Sequence, residues 1–228
     1  MQINADLSQR VVLATDQLPW IASPLAGVER RMLDRDGDEV ARATSLVRYA
    51  PGSHFSPHTH GGGEEFLVLE GIFSDDHGDY PAGMYVRNPP GSRHTPRSES
   101  GCTILVKLWQ MDPADDVFVR IDTTDLAAFR PSGVPGERAL ELFGRGAERV
   151  RMLGWEPGVA LGRRDYPGGA ELFVVEGGFS DEDGSYDQGA WLRLPPGSAH
   201  TPVATAPSRI LIKTGHLADP PGGPPASQ

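Results

Sequence analysis

Residues 58–64 read His58-Thr59-His60-Gly61-Gly62-Gly63-Glu64, and His94 follows at the end of Pro89-Pro90-Gly91-Ser92-Arg93-His94. Side chains alternate faces along a strand, so His58 and His60 are expected to point the same way, about 6.5 Å apart along the chain. The three glycines then allow a reversal, because glycine accepts the positive φ of a tight turn. Glu64 is expected to return beside the two imidazoles, with His94 closing the group from a later strand. Three neutral imidazoles and one carboxylate suit a divalent transition metal. The plainer alternative is a hydrogen-bonded polar cluster in the mouth of a barrel.

Outward from this stretch, the sequence repeats. Shifted by 106 residues, Gly71 to Pro96 overlays Gly177 to Pro202 with 15 identities in 26 positions and no gap. Phe73-Ser74-Asp75 meets Phe179-Ser180-Asp181, and His94-Thr95-Pro96 meets His200-Thr201-Pro202. A period this long indicates a duplicated domain rather than a solenoid. The expected division is a metal-binding domain over 1–112, a degenerate copy over 113–218, and a Pro- and Gly-rich, disordered tail over 219–228.

Short apolar runs in each half, Phe66–Leu69 and Thr103–Val106 with their copies Leu172–Val175 and Arg209–Ile212, read as buried strands. Ser74–Asp79 and Ser180–Ser185 read as hairpin turns. With 28 glycines and 21 prolines punctuating the runs, the pattern is all-β. A helical turn is expected over Glu137 to Phe143.

The second copy keeps His200 but carries Arg164, Tyr166 and Ala170 where the first has His58, His60 and Glu64. It is not expected to hold a metal in the same way, and His200 reads as structural. A sharper alternative is a metal-free organic pocket in which Arg164 grips a carboxylate or phosphate. Glu65 survives as Glu171 whereas Glu64 disappears together with the histidines, so Glu64 is the expected ligand and Glu65 a supporting residue. Arg87 and Arg193 match across the halves and read as structural. Tyr49, Tyr85 and Phe66 are expected to reach into the first barrel, and His54 can line its rim. The four tryptophans read as core.

Lys and Arg total 21 against 31 Asp and Glu, a net charge of −10, which argues against nucleic acid or an anionic membrane as partner. The single cysteine, Cys102, excludes an internal disulfide and, with no signal segment or long apolar run, points to the cytoplasm.

The motif residues resemble the cupin family. The wider stretch from Val47-Arg48-Tyr49-Ala50-Pro51-Gly52 to Gly91-Ser92-Arg93-His94-Thr95-Pro96 resembles its ChrR-like branch in particular. That resemblance implies two tandem cupin (jelly-roll) barrels, a bicupin, with His58, His60, Glu64 and His94 on the family's metal-ligand positions. The anti-sigma factor that gives the branch its name adds a zinc-binding segment of the form His-x3-Cys-x2-Cys. This sequence shows none, so anti-sigma activity is not expected of it.

Coordination number separates the functional readings. Four protein ligands fill tetrahedral Zn(II), which suits a sensor of a small ligand or of reactive oxygen species. Around six-coordinate Fe(II), Mn(II) or Ni(II) they leave about two positions open to a chelating substrate or to O2. The resemblance extends to cupins that cleave β-diketones and hydroxyacetophenones. The first expectation is therefore an Fe(II)-type dioxygenase acting on a small diketone or aromatic ketone, with Glu64 as fourth ligand or detachable base. A sugar isomerase built on Tyr166, Arg163, Arg164 and His200 is a third reading. The expected partner is a small molecule, and a homodimer is compatible with the sequence.

Overall fold

The computed structural model describes residues 1–221, so the expected tail falls outside the described residues beyond Pro221. Among the described residues the protein is antiparallel β-structure with two single-turn 3₁₀ helices, Thr15–Gln17 and Leu126–Ala128. No helix among them is long and apolar enough to cross a membrane.

The chain forms two compact units. The first contains residues 1–5 and 19–124, the second residues 6–18 and 125–220. The first unit's main sheet runs, in spatial order, Gln2–Ile3, Val28–Gly37, Ala41–Tyr49, Cys102–Leu108, Glu64–Asp75, Met84–Asn88 and Val119–Asp122. The second unit repeats this order with Arg130–Pro131, Glu137–Arg145, Glu148–Trp155, Ser208–Thr214, Ala170–Glu176, Ala190–Leu194 and Val11–Ala14.

The last strand of each list decides where the chain divides. Val119–Asp122 follows the 112/113 boundary expected from the repeat, yet it pairs with Met84–Asn88 in the first unit. Val11–Ala14 opens the chain, yet it pairs with Ala190–Leu194 in the second. The halves thus exchange their leading strands. The division falls at Thr124/Asp125 because an added strand satisfies a row of edge N–H and C=O groups that would otherwise stay open.

Glu137–Phe143 is not helical. It lies within the strand Glu137–Arg145, paired along its length with Glu148–Trp155 and bulged between Glu141 and Phe143. Glu, Arg, Ala and Leu favour a helix only weakly in isolation, and sheet pairing overrides that preference.

Each core is built from alternating inward residues. In the first unit Val47, Phe66, Val68, Phe73, Val86, Ile104 and Val106 are buried together, with Cys102 among them. The second unit buries Leu153, Trp155, Leu172, Val174, Phe179, Leu192, Ile210 and Ile212 in the same manner. The long strand Glu64–Asp75 bends at Gly71, whose φ is 70° and whose Cβ would lie 2.0 Å from the carbonyl oxygen of Gly101. Only glycine fits there. Beyond the bend, Ile72–Asp75 pairs with Gly78–Pro81 through the hairpin expected at this turn, and Asp181 with Gly184 closes its copy.

Candidate metal centre

His58 and His94 face each other across a short two-stranded pairing, His58–Thr59 with Arg93–His94. His60 is tied into the same corner by its backbone N–H to the carbonyl of Ser92, and Glu64 begins the long strand immediately after the glycine turn. The glycines serve two purposes. Gly63 takes the positive φ of 76° that the reversal was expected to need. Gly61 and Gly62 instead admit Trp109, whose indole carbons would lie 2.4–2.8 Å from any Cβ placed there.

The four residues converge. The three imidazole centroids lie 4.7–4.9 Å apart, and one ring nitrogen from each falls within 4.8 Å of the others. His60 Nε2 is 3.0 Å from His94 Nε2, and Glu64 Oε2 is 3.5 and 3.7 Å from the same two atoms. His60, Glu64 and His94 are buried, while His58 is exposed at the cavity edge. This is the one such group of His, Cys, Asp and Glu among the described residues.

The partners of these side chains test whether the donor set fits a metal. His58 Nδ1 donates to the carbonyl of Ser56 at 3.1 Å, and His94 Nδ1 donates to Asp75 Oδ2 at 3.0 Å. Both acceptors lack hydrogens, so both imidazoles keep a lone pair on Nε2, the state a metal ligand requires. Two nitrogens each about 2.05 Å from one ion would stand roughly 2.9–3.3 Å apart, which the His60–His94 spacing matches. His58, His60 and His94 can hold a metal ion.

Asp75 and its partners were not singled out from the sequence, where Asp75 reads as a turn residue. Burial opposes its ionisation, but hydrogen bonds from His94, the His77 backbone and Tyr80 outweigh that and hold its carboxyl below the usual range. Tyr80 Oη donates to Asp75 Oδ1 at 3.2 Å and accepts from Arg120 Nε at 3.1 Å. Arg120 Nη2 also donates to Asn88 Oδ1 at 2.6 Å, and Asn88 Nδ2 donates to Glu64 Oε2 at 3.1 Å. One arginine on the exchanged strand thus anchors the orientation of both His94 and Glu64. The signal was present in the repeat: Arg10, Tyr186, Asp181 and His200 form the same chain in the second unit, at 2.7, 2.8 and 3.0 Å.

Electrostatics separate the twins. Burial opposes charge on His94, but the Asp75 hydrogen bond and the Glu64 and Asp75 carboxylates raise its pKa above the ordinary imidazole value. His200 lacks a Glu64 counterpart, and burial takes it below that value. Burial also lowers His60, with Glu64 opposing and the two other imidazoles assisting. In the second unit Tyr166 Oη lies 3.0 Å from His200 Nε2 and donates to the lone pair that would otherwise face an ion. His200 is structural there, as expected.

The centre opens into a cavity of about 580 Å³ walled by Leu25, Val28, Tyr49, Phe55, Leu108 and Trp109. Tyr49 lines it as expected, whereas Val86 rather than Tyr85 takes the inward position on its strand. His54 pairs with Glu99 in solvent instead of lining the rim. Glu65 and Arg87 form a buried ion pair that Asp115 joins at 2.5 Å, a supporting role for both. Of the tryptophans, Trp155 and Trp191 are buried, but Trp20 lies between the guanidinium groups of Arg31 and Arg48, each 4.4 Å from its ring. Trp109 is a cavity wall held at φ 57°, a strained conformation for a bulky residue.

The family model of the ChrR cupin-like domain matches residues 8–112 and again 114–218. The chain belongs to the ChrR cupin-like family. It is a bicupin, and the two matches coincide with the two halves of the repeat. Solved structures show the same fold at low identity. A candidate dioxygenase from Nostoc punctiforme superposes with a TM-score of 0.73 at 14% identity, covering 96% of this chain and 88% of that one. The bacterial pirin YhhW from Escherichia coli, in complex with nickel(II), gives 0.66 at 12% identity over 90% and 98%. Protein Ylba from Escherichia coli gives 0.70 at 15% identity over 92% of each chain. No curated protein matches the sequence.

Proposed function

We propose that the first cupin unit is an Fe(II)-type dioxygenase centre acting on a small chelating ketone, a β-diketone or an aromatic hydroxyketone. The observation that carries this reading is the convergence of three imidazoles and the Glu64 carboxylate beneath a cavity of about 580 Å³ with apolar walls. His58, His60, Glu64 and His94 would hold the ion. A bound six-coordinate divalent ion supplies Lewis acidity toward an enolate or phenolate oxygen and keeps positions open for substrate and O2.

The remaining residues bind and exclude water. Phe55, Leu108 and Trp109 hold the apolar body of the substrate, as walls of this kind usually do in small-molecule sites. Tyr49 lines the same cavity, and burial, with Glu64 and Cys102 assisting, pushes its hydroxyl far above the ordinary range. It therefore stays protonated and offers an O–H donor to a substrate oxygen. Glu64 Oε2, held by Asn88, stands close enough to the centre to take a substrate proton should it leave the ion.

The test is elemental analysis of tag-free protein beside His58→Ala/His60→Ala, followed by oxygen-uptake assays with a panel of diketones and aromatic ketones. Stoichiometric iron lost in the double variant, with oxygen consumption by the iron-loaded wild type, is expected. Stoichiometric zinc together with inactive iron-loaded protein would refute the oxygenase reading and support a zinc-binding sensor.

A further inference from the structure

The second unit contains a cavity of about 420 Å³ that the first unit's chemistry does not explain. It opens at the position matching the metal centre, with Arg164 in place of His58 and Tyr166 in place of His60. Where the first unit pairs Val28 with Tyr49, the second pairs Glu137 with Trp155, so a carboxylate replaces an apolar wall residue. Leu153, Trp155, Tyr166 and Ile212 supply apolar surface.

The charges do not cancel. Glu137 is buried, and its Oε2 accepts from Trp155 Nε1 at 2.8 Å and from Arg164 Nη2 at 3.0 Å, which neutralises one arginine. Arg163 pairs with Asp165 at 3.0 Å in solvent. Arg151 is only loosely paired. Its nearest carboxylate is Glu141 at 3.9 Å, beyond hydrogen-bond reach, and its Nε is buried with no hydrogen-bond partner among the described residues. Arg164 uses Nη2 on Glu137, and its Nε and Nη1 make no hydrogen bond among the described residues. A buried guanidinium N–H without an acceptor costs about 1–3 kcal/mol, so Arg151 Nε calls for an acceptor, and Arg164, partly exposed on the same cavity, has donors to share it.

We infer that the second unit binds a small monocarboxylic acid with an apolar body, its carboxylate held between Arg151 and Arg164. A planar carboxylate matches the guanidinium fork, and one negative charge complements Arg151, whose ion pair with the exposed Glu141 is long at 3.9 Å. A phosphate dianion would leave an excess negative charge beside Glu137 in an apolar cavity. The duplication then yields two different pockets, one for a metal and one for an organic acid. This site is separate from the proposed oxygenase centre and does not rest on it.

The experiment uses the full chain carrying His58→Ala/His60→Ala and treated with chelator, so that no carboxylate is read through a metal. Benzoate, hexanoate and inorganic phosphate are titrated by calorimetry and thermal shift. Saturable binding of at least one acid is expected, weakened at least tenfold by Arg151→Gln, less by Arg151→Lys, with phosphate weaker than the acid. The inference is overturned by no saturable binding of either acid up to about 20 mM, by undiminished binding in Arg151→Gln, or by tighter binding of phosphate. Should the Arg151 variants fail to fold, wild-type crystals soaked in 4-iodobenzoate decide. Iodine signal in the cavity lined by Arg151 and Arg164 supports the site, and its absence there overturns it.

Discussion

Asp75→Asn changes one atom of the metal centre's support and has a control within the same chain. Asp75 Oδ1 accepts from the His77 backbone at 2.8 Å and from Tyr80 at 3.2 Å, while Oδ2 takes the Nδ1 proton of His94 at 3.0 Å. Asparagine can keep the first two bonds with its carbonyl. It then presents an N–H to His94, which must accept at Nδ1 and so carry its proton on Nε2, the nitrogen that faces the ion. Metal binding then requires breaking that hydrogen bond or reverting the tautomer. A hydrogen bond to a charged group is worth about 1.5–3 kcal/mol, and each 1.4 kcal/mol is a factor of about ten. The metal dissociation constant is therefore expected to rise about 10–100-fold, the range usual for lost support of a ligating histidine. Competition with a chromophoric chelator measures it. Asp181→Asn makes the same change at His200 Nδ1, also at 3.0 Å, where Tyr166 rather than an ion faces the ring. It should leave metal affinity within about twofold. An unchanged constant in Asp75→Asn, or equal losses in the two variants, would refute the assignment.

Three further outcomes follow from the same geometry. Arg87→Met removes the guanidinium that bridges the buried Glu65 and Asp115 carboxylates and should lower unfolding free energy by about 3–5 kcal/mol in urea titration; a loss below about 1 kcal/mol would refute the ion pair's role. Trp109→Gly should be more stable than Trp109→Ala by about 0.5–1 kcal/mol, because both lose the indole but only alanine retains the left-handed strain, as Gly215 at φ 78° in the twin position illustrates. At Asp181, burial opposes ionisation, but hydrogen bonds from His200, the Asp183 backbone and Tyr186 hold its carboxyl below the ordinary 3.8. A group lowered in the folded state stabilises above its unfolded pKa and loses that contribution as pH falls through the folded one. Urea midpoints should thus drop more steeply below about pH 4 for wild type than for Asp181→Asn.

The four converging residues were legible because their spacing alone constrains them: two histidines one residue apart, a glycine turn and a returning carboxylate leave little freedom, although the strand ends at Thr59 and His60 lies just beyond it. The supporting residues were not. Asp75 sits in a hairpin whose composition already explains an aspartate, and its contact with His94 depends on a barrel closing over residues 76–93. Arg120 was invisible for a different reason, since nothing in a strand's own sequence says which sheet edge it will join. Glu137–Arg145 misled because its residues carry weak helical preference, whereas pairing along its length with the next strand, Glu148–Trp155, sets its conformation. Trp109 was read as core because a tryptophan's bulk suggests burial, whereas the glycines opposite it mark a wall laid flat against the turn.

The exchanged strands bear on what a half without the three-histidine group contributes to the other. Arg120, which steadies both His94 and Glu64, lies in the second copy of the family match, and Arg10, which steadies His200, lies in the first. Selection acting on the metal centre therefore reaches across the duplication. The second copy is free to trade its histidines for other chemistry, but its leading strand cannot be deleted without loosening the first copy's site. Joining two copies in one polypeptide also keeps each donated strand at high effective concentration beside its recipient sheet, so completion of either barrel does not depend on meeting another chain.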